Sequence, residues 1–327
     1  MPVRDDECGF EKASCTQTPM TTSIPDRTIY GLVEFHSSLN PDAPALLAEG
    51  RTPLTYRRLS TDVKAIGARL NRLGIGRGDR VAVVLPNGPE MAVAFLGVAA
   101  SATCAPLNPA YRADEFDFYL SDLNAKALLV TADLDSPAVV CARKRAIPVL
   151  TVSVDTGAEA GIFSIEGSEQ PLLGKAGLAD PNDTALVLHT SGTTSRPKIV
   201  PLTHENLWSS ARNVQATLGL SVTDRCLNVM PLFHIHGLVA ALLASLSAGG
   251  SVVCTPGFYA PRFFDWLATF HPTWYTAVPT MHQSILARGG ESHDNPSTPL
   301  ALCSLILSFS ATSSDGRSGS GLCRSCG

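Results

Sequence analysis

Seven consecutive residues, Thr190-Ser191-Gly192-Thr193-Thr194-Ser195-Arg196, carry only hydroxyl, glycine or basic character, and Pro197 and Lys198 follow them. Such a string suits a phosphate chain. Small residues let backbone N–H groups come close, hydroxyls add donors, and Lys198 supplies one compact cation. The bland reading is an ordinary solvated loop with an exposed lysine after a proline. The string lacks the Gly-Lys-[Ser/Thr] of P-loop NTPases, which sets that class aside. A second candidate is the pair His234 and His236 in MPLFHIHGL (230–238). An imidazole can orient a carboxylate or titrate near neutrality. The other readings are a satisfied core histidine or a metal pair, and H-x-H needs further ligands that are not spaced nearby.

These residues need elements to hold them. DTALVL (183–188) reads as a short buried strand opened by Asp183, and Ile199-Val200 resume a strand after the loop. Thr203 is a candidate N-cap for an amphipathic helix with Glu205 and Asn206 in its first turn. From residue 79 onward strands and helices alternate: strands at 80–85, 126–131, 148–154, 226–230, 251–255 and 273–278, with helices at 89–102, 237–247, 261–270 and from Thr280. Alternation of this kind implies crossover connections, an α/β class and largely parallel sheets covered by helices. Residues 155–182, with Gly, Pro and acidic residues, read as a surface connection. Nothing repeats at a fixed period.

The string TSGTTSRPK resembles the phosphate-binding signature of the AMP-forming adenylating enzymes, a family of acyl-CoA synthetases, luciferases and adenylation domains. DRVAVVLPNGPEMAVAFLGV (79–98), APLNPAYRADEFDFYLSD (105–122), MPLFHIHGL and TWYTAVPTMHQSIL (273–286) resemble the same family in the same order, over about residues 28 to 288. Within it, APLNPAYRADEFDFYLSD and HTSGTTSRPK most resemble the peroxisomal oxalate–CoA ligase branch. The resemblance implies activation of a small-molecule carboxylic acid by ATP to an acyl-adenylate and then, with CoA, to acyl-CoA, with Mg²⁺ screening the polyphosphate. It implies that Thr190, Ser191, Gly192, Thr193, Thr194 and Lys198 hold the phosphates, and that His234 lies beside the acyl carboxylate and α-phosphate; His236 receives no role. Ile199 stands where the family usually has glycine. A β-branched residue suits an extended strand there but not a positive φ.

Length and charge bound the rest. The 327 residues have 45% hydrophobic and 17% charged content, that of a globular chain with a sizeable core, and the net charge of −4 gives no reason to expect nucleic acid. No apolar run approaches membrane-spanning length; HGLVAALLASLSAGG (236–250) is the nearest and reads as a short buried helix. Nine cysteines are scattered, and Cys104, Cys226 and Cys254 sit in apolar runs as small hydrophobes, which argues for a reducing compartment. Cys323 and Cys326 have C-x-x-C form without the context of a metal or redox site.

Residues 1–27 have no apolar h-region and read as a disordered leader. Residues 291–327 are rich in Ser, Gly and Cys; Leu300 to Phe309 could be a strand, and the rest reads as a disordered tail from a shifted frame, a retained intron or a divergent linker. The middle, 28–290, is then the first part of the large N-terminal domain of an adenylate-forming ligase, cut before its C-terminal domain. Such a piece lacks the adenine and ribose contacts and the acylation lysine, so it is expected to be inactive. The alternative function is a non-catalytic nucleotide-binding fragment or pseudoenzyme. Because the chain ends Arg-Ser-Cys-Gly and not Ser-Lys-Leu, the expected location is cytoplasmic as written and peroxisomal for the full-length branch.

Overall fold

The computed structural model describes residues 26–132, 136–171, 173–190, 197–289 and 301–302. In chain order the described elements begin with α1 (Ile29–Leu39), β1 (Pro44–Leu47), β2 (Leu54–Thr55), α2 (Tyr56–Arg72), β3 (Arg80–Val84), α3 (Pro89–Ala99) and β4 (Thr103–Pro106). There follow α4 (Ala113–Asp122), β5 (Ala127–Thr131), α5 (Pro137–Lys144), β6 (Val149–Val154), β7 (Phe163–Glu166), β8 (Thr184–Thr190), β9 (Lys198–Thr203) and α6 (His204–Leu218). The last group is β10 (Arg225–Asn228), a π-helical segment (His236–Leu243) running into α7 (Ala244–Ser247), β11 (Ser251–Cys254), α8 (Ala260–Phe270), β12 (Trp274–Thr276), α9 (Pro279–Gly289) and β13 (Ala301–Leu302).

Two sheets result. One has the order β7-β6-β5-β3-β4-β8-β9 and the other β13-β12-β10-β11-β1-β2. Pairing is parallel except at the pairs β1–β2, β6–β7 and β8–β9. Strands β3, β4 and β5 are apolar almost throughout because helices cover both of their faces. Alternate residues then point to different cores. Ala127 and Leu129 of β5 face the central core, while Leu128 and Val130 pack with Phe116 and Leu120 of α4 and Ala138 and Val139 of α5. In the second sheet Cys226 faces the central core, and Leu227 packs against Phe263 and Trp266 of α8. The fold is therefore five layers, with α1, α2, α3, α6 and the π-helical segment sandwiched between the sheets. It is the α/β class with largely parallel, helix-covered sheets that the alternation predicts.

Most expected elements occur within a residue or two of their predicted bounds. The connection 155–182 holds an unforeseen edge strand, β7, which pairs Phe163 with Val154 and Ile165 with Val152. The helix expected at 237–247 is buried as predicted but starts as a π-helix. Gly237 explains part of its geometry: a Cβ there would sit 2.3 Å from the Pro231 carbonyl oxygen, so only glycine lets the first turn rest on residues 230–231. The expected leader, apart from residues 26–27, lies outside the described residues. So does the expected tail, apart from Ala301 and Leu302, which pair in parallel with Trp274 and Tyr275 of β12. Cys323 and Cys326 are also outside them. Cys104, Cys226 and Cys254 are buried, as their apolar contexts suggest. No helix of the described residues is long and apolar enough to cross a membrane.

Thr203 caps α6 as read from the sequence. Its Oγ1 accepts from Asn206 N at 3.2 Å, and Asn206 Oδ1 accepts from Thr203 N at 3.1 Å. This reciprocal pair satisfies two donors that the helix start would leave open. Thr203→Ala should lower stability by about 1 kcal/mol in urea unfolding, with an unchanged denaturant slope. A loss below a few tenths of a kcal/mol would mean that water replaces the cap without cost.

Candidate functional site

The hairpin β8–β9 is where the hydroxyl-rich string leaves the sheet. Its outermost pair is Thr190 with Lys198, followed by His189 with Ile199. Thr190 and Lys198 are both exposed, so a hydroxyl and an ammonium sit side by side at the hairpin mouth. Lys198 forms no ion pair with a described residue. Ser191, Gly192, Thr193 and Thr194 lie outside the described residues. Ile199 is a half-buried strand residue and is not among the residues with positive φ. The lysine thus stays at the end of a regular ladder without the glycine.

His189 anchors the base of this mouth, a role with no motif to announce it. Its side chain is 5% exposed, its Nε2 lies 3.0 Å from Asp122 Oδ2, and its ring meets Tyr119 edge-on at 4.6 Å. Burial lowers its pKa and Asp122 opposes that shift. The contact ties the end of β8 to the C-terminus of α4 across 67 residues.

His234 stands in the turn between β10 and the π-helical segment. The residue is exposed overall, but its ring is tilted on Phe233 at 4.5 Å, and this partial burial lowers its pKa by disfavouring the imidazolium. The ring is therefore neutral near pH 7, able to accept or donate one hydrogen bond. His236 is different: its Nε2 lies 2.7 Å from Thr276 Oγ1 on β12, inside the fold. The two imidazoles are thus held differently, His234 in the turn and His236 against β12. Among the described residues no group of three or more His, Cys, Asp or Glu could hold a metal ion.

One side chain relates the two sites. Asn87, three residues beyond β3, accepts from Leu232 N at 2.7 Å and donates to the Thr255 carbonyl at 2.9 Å. Leu232 follows β10 and Thr255 follows β11 in the other sheet. The C-terminal ends of β3, β10 and β11 therefore meet. Because β3, β4 and β8 run parallel, the Thr190–Lys198 mouth opens on the same edge as the His234 turn. In open α/β sheets ligands collect at the carboxyl ends of strands. A cleft of about 660 Å³ lies at the opposite edge, by Arg80, Lys126 and Arg145. There Arg145 is paired with Asp117 and Arg80 donates to the Leu123 carbonyl.

Exposed hydroxyl and ammonium groups on one side of this edge, and a neutral imidazole on the other, suit a polyanion meeting a second acidic group. A divalent cation could be carried on the anion's own oxygens, an arrangement that magnesium commonly adopts with phosphates.

The chain is similar to known proteins in both sequence and fold. The family model described as AMP-binding enzyme matches residues 33–313. An oxalate–CoA ligase from Arabidopsis thaliana is 43% identical over 291 residues, covering 87% of this chain and 56% of that protein. An oxalate–CoA ligase from Saccharomyces cerevisiae is 35% identical over 278 residues, covering 76% and 51%. Among solved structures, an O-succinylbenzoate coenzyme A synthetase from Bacillus subtilis in complex with AMP superposes with a TM-score of 0.64 at 27% identity, covering 79% of this chain and 64% of that one. A long-chain-fatty-acid–CoA ligase from Archaeoglobus fulgidus superposes with a TM-score of 0.70 at 23% identity, covering 83% and 55%, and this likeness is one of fold. The chain spans about half the length of the curated relatives named here.

Proposed function

Since the chain belongs to the AMP-binding enzyme family, matched over residues 33–313, we propose that it supplies the phosphate-holding part of an AMP-forming acid–CoA ligase acting on a small dicarboxylic acid, oxalate first among them. The observation that carries this reading is the exposed Thr190–Lys198 pair, opening on the edge where the His234 turn also lies. The division of the chain at 28–290 belongs to the proposal, with β13 joining the sheet beyond it and the family match running on to residue 313. A peroxisomal address for the longer ligase is part of the same reading.

In the reaction, a carboxylate oxygen of the acid bonds to the α-phosphorus of ATP as the bond to pyrophosphate breaks. The acyl-adenylate then passes its acyl group to the thiol of CoA, releasing AMP. Lys198 and the Thr190 hydroxyl would meet the negative charge that gathers on the leaving pyrophosphate. Neutral His234 would donate a hydrogen bond to the incoming carboxylate and hold it in line. Mg²⁺, when bound through phosphate oxygens, supplies further charge neutralisation.

The alternative reading is a non-catalytic nucleotide-binding fragment or pseudoenzyme. One experiment separates them: ATP–pyrophosphate exchange with oxalate, malonate, succinate and a long-chain fatty acid. The 327-residue chain is assayed alone and joined to the C-terminal half of the Arabidopsis relative. Oxalate-dependent exchange in the joined protein, at least ten-fold above the no-acid rate, is the expected result. ATP binding without exchange by any acid would favour the non-catalytic reading.

A further inference from the structure

The His234 turn is fastened by two side-chain amides, one from each sheet. Asn228, 1% exposed at the end of β10, accepts from Met230 N at 3.1 Å and donates to the Gly237 carbonyl at 3.4 Å, spanning the turn from start to finish. Thr255 Oγ1 donates to the Asn228 carbonyl at 2.9 Å, and the Thr255 carbonyl accepts from Asn87 Nδ2. Asn87 Oδ1 closes the circuit on Leu232 N, two residues before His234. Leu232 is 1% exposed, so its N–H has no water to fall back on. The partners also settle which end of the Asn87 amide is which, since a backbone N–H faces one side and a backbone carbonyl the other.

We propose that Asn87 is a positioning residue for the His234 turn, holding it from across the two sheets so that the imidazole meets the carboxylate substrate at a set place. This deepens the proposed ligase reading and rests on it for the identity of the substrate. The bond to Leu232 joins residues 145 apart in sequence and the bond to Thr255 joins residues 168 apart. Neighbouring contacts fix the turn to its own sheet, through Asn228 and through His236 on Thr276. Asn87 relates it to β3 and so, through β4, to β8 and the Lys198 mouth. The side chain has to be both donor and acceptor at this length. Alanine offers neither, and aspartate keeps the acceptor alone.

The test has a readout on the 327-residue chain that does not need turnover. Amide hydrogen exchange at Leu232 should quicken roughly five- to ten-fold in Asn87→Ala, the usual scale of one lost hydrogen bond, while Leu227 and Val253 in β10 and β11 keep their rates. Asn87→Asp should leave Leu232 close to wild type. The His234 ring, followed by NMR titration, should move in Asn87→Ala toward the ordinary histidine pKa. In the joined protein, the KM for oxalate should rise at least five-fold while the KM for ATP changes less than two-fold. An unchanged Leu232 rate in Asn87→Ala would overturn the proposal. A faster Leu232 with an unmoved His234 titration would reduce Asn87 to a purely structural bond and overturn it as well. If exchange and titration respond as expected but no acid supports pyrophosphate exchange in the wild type, the positioning stands and the ligase reading falls.

Discussion

Replacing Lys198 by alanine is expected to lower carboxylate-dependent pyrophosphate exchange in the joined protein about 100-fold, with little change in thermal stability. The lysine is exposed at the mouth of β8–β9 and forms no ion pair with a described residue. Removing it therefore costs the fold almost nothing. Its proposed partner is the charge that builds on the departing pyrophosphate. Losing one such charge contact typically costs two to three orders of magnitude, or about 3 kcal/mol at the lower bound. Lys198→Arg keeps the charge on a longer, planar head and should recover only part of the loss, because a point cation is not replaced by a fork. The exchange rates of wild type, Lys198→Ala and Lys198→Arg, each with its melting temperature, decide the matter. Wild-type exchange in Lys198→Ala would remove the lysine from the phosphate site.

Acid should destabilise this protein through His204. His204 is the first residue of α6, 0% exposed, and its Nδ1 accepts from Ile29 N at 3.1 Å, which joins α6 to α1. Burial pushes its pKa from 6.5 down to about 4, with Asp183 working against that shift. The start of a helix is also a poor place for a cation. In the unfolded chain the same ring takes a proton below about pH 6.5, so between pH 6.5 and 4 the unfolded state binds more protons. Stability therefore falls as pH falls through that window, by an amount approaching about 3 kcal/mol. Urea unfolding at pH 7.5, 5.5 and 4.5 reads this directly. His204→Gln should begin less stable at pH 7.5, having a poorer acceptor for Ile29, and then lose less on acidification. Equal pH slopes in the two proteins would show that another group carries the acid sensitivity.

Local chemistry made much of this legible beforehand. DTALVL and Ile199-Val200 became β8 and β9, and Thr203 with Asn206 became the cap of α6, because strands and caps are settled by residues within a few positions of each other. The alternation from residue 79 gave parallel sheets for the same reason. The edge strand β7 escaped notice because FSIE lies in a stretch whose Gly, Pro and acidic residues read as a connection, and its strand state comes from pairing with β6. The π-helical start at His236 escaped because Gly237 fits against Pro231 only once the preceding turn is folded back on it.

What the sequence by itself determined, then, was the family resemblance, the α/β alternation and the identity of Thr190, Lys198 and His234 as residues to watch. Each was carried by an ordered local string. The tertiary structure alone decided that the Thr190–Lys198 mouth and the His234 turn open on one edge, and that His189 and Asn87 secure them. Those decisions depend on bonds such as His189 to Asp122, across 67 residues, and Asn87 to Leu232, across 145. A side-chain amide or a buried imidazole finds its partner only when two sheets have packed about one core, so no spacing along the chain could have announced it.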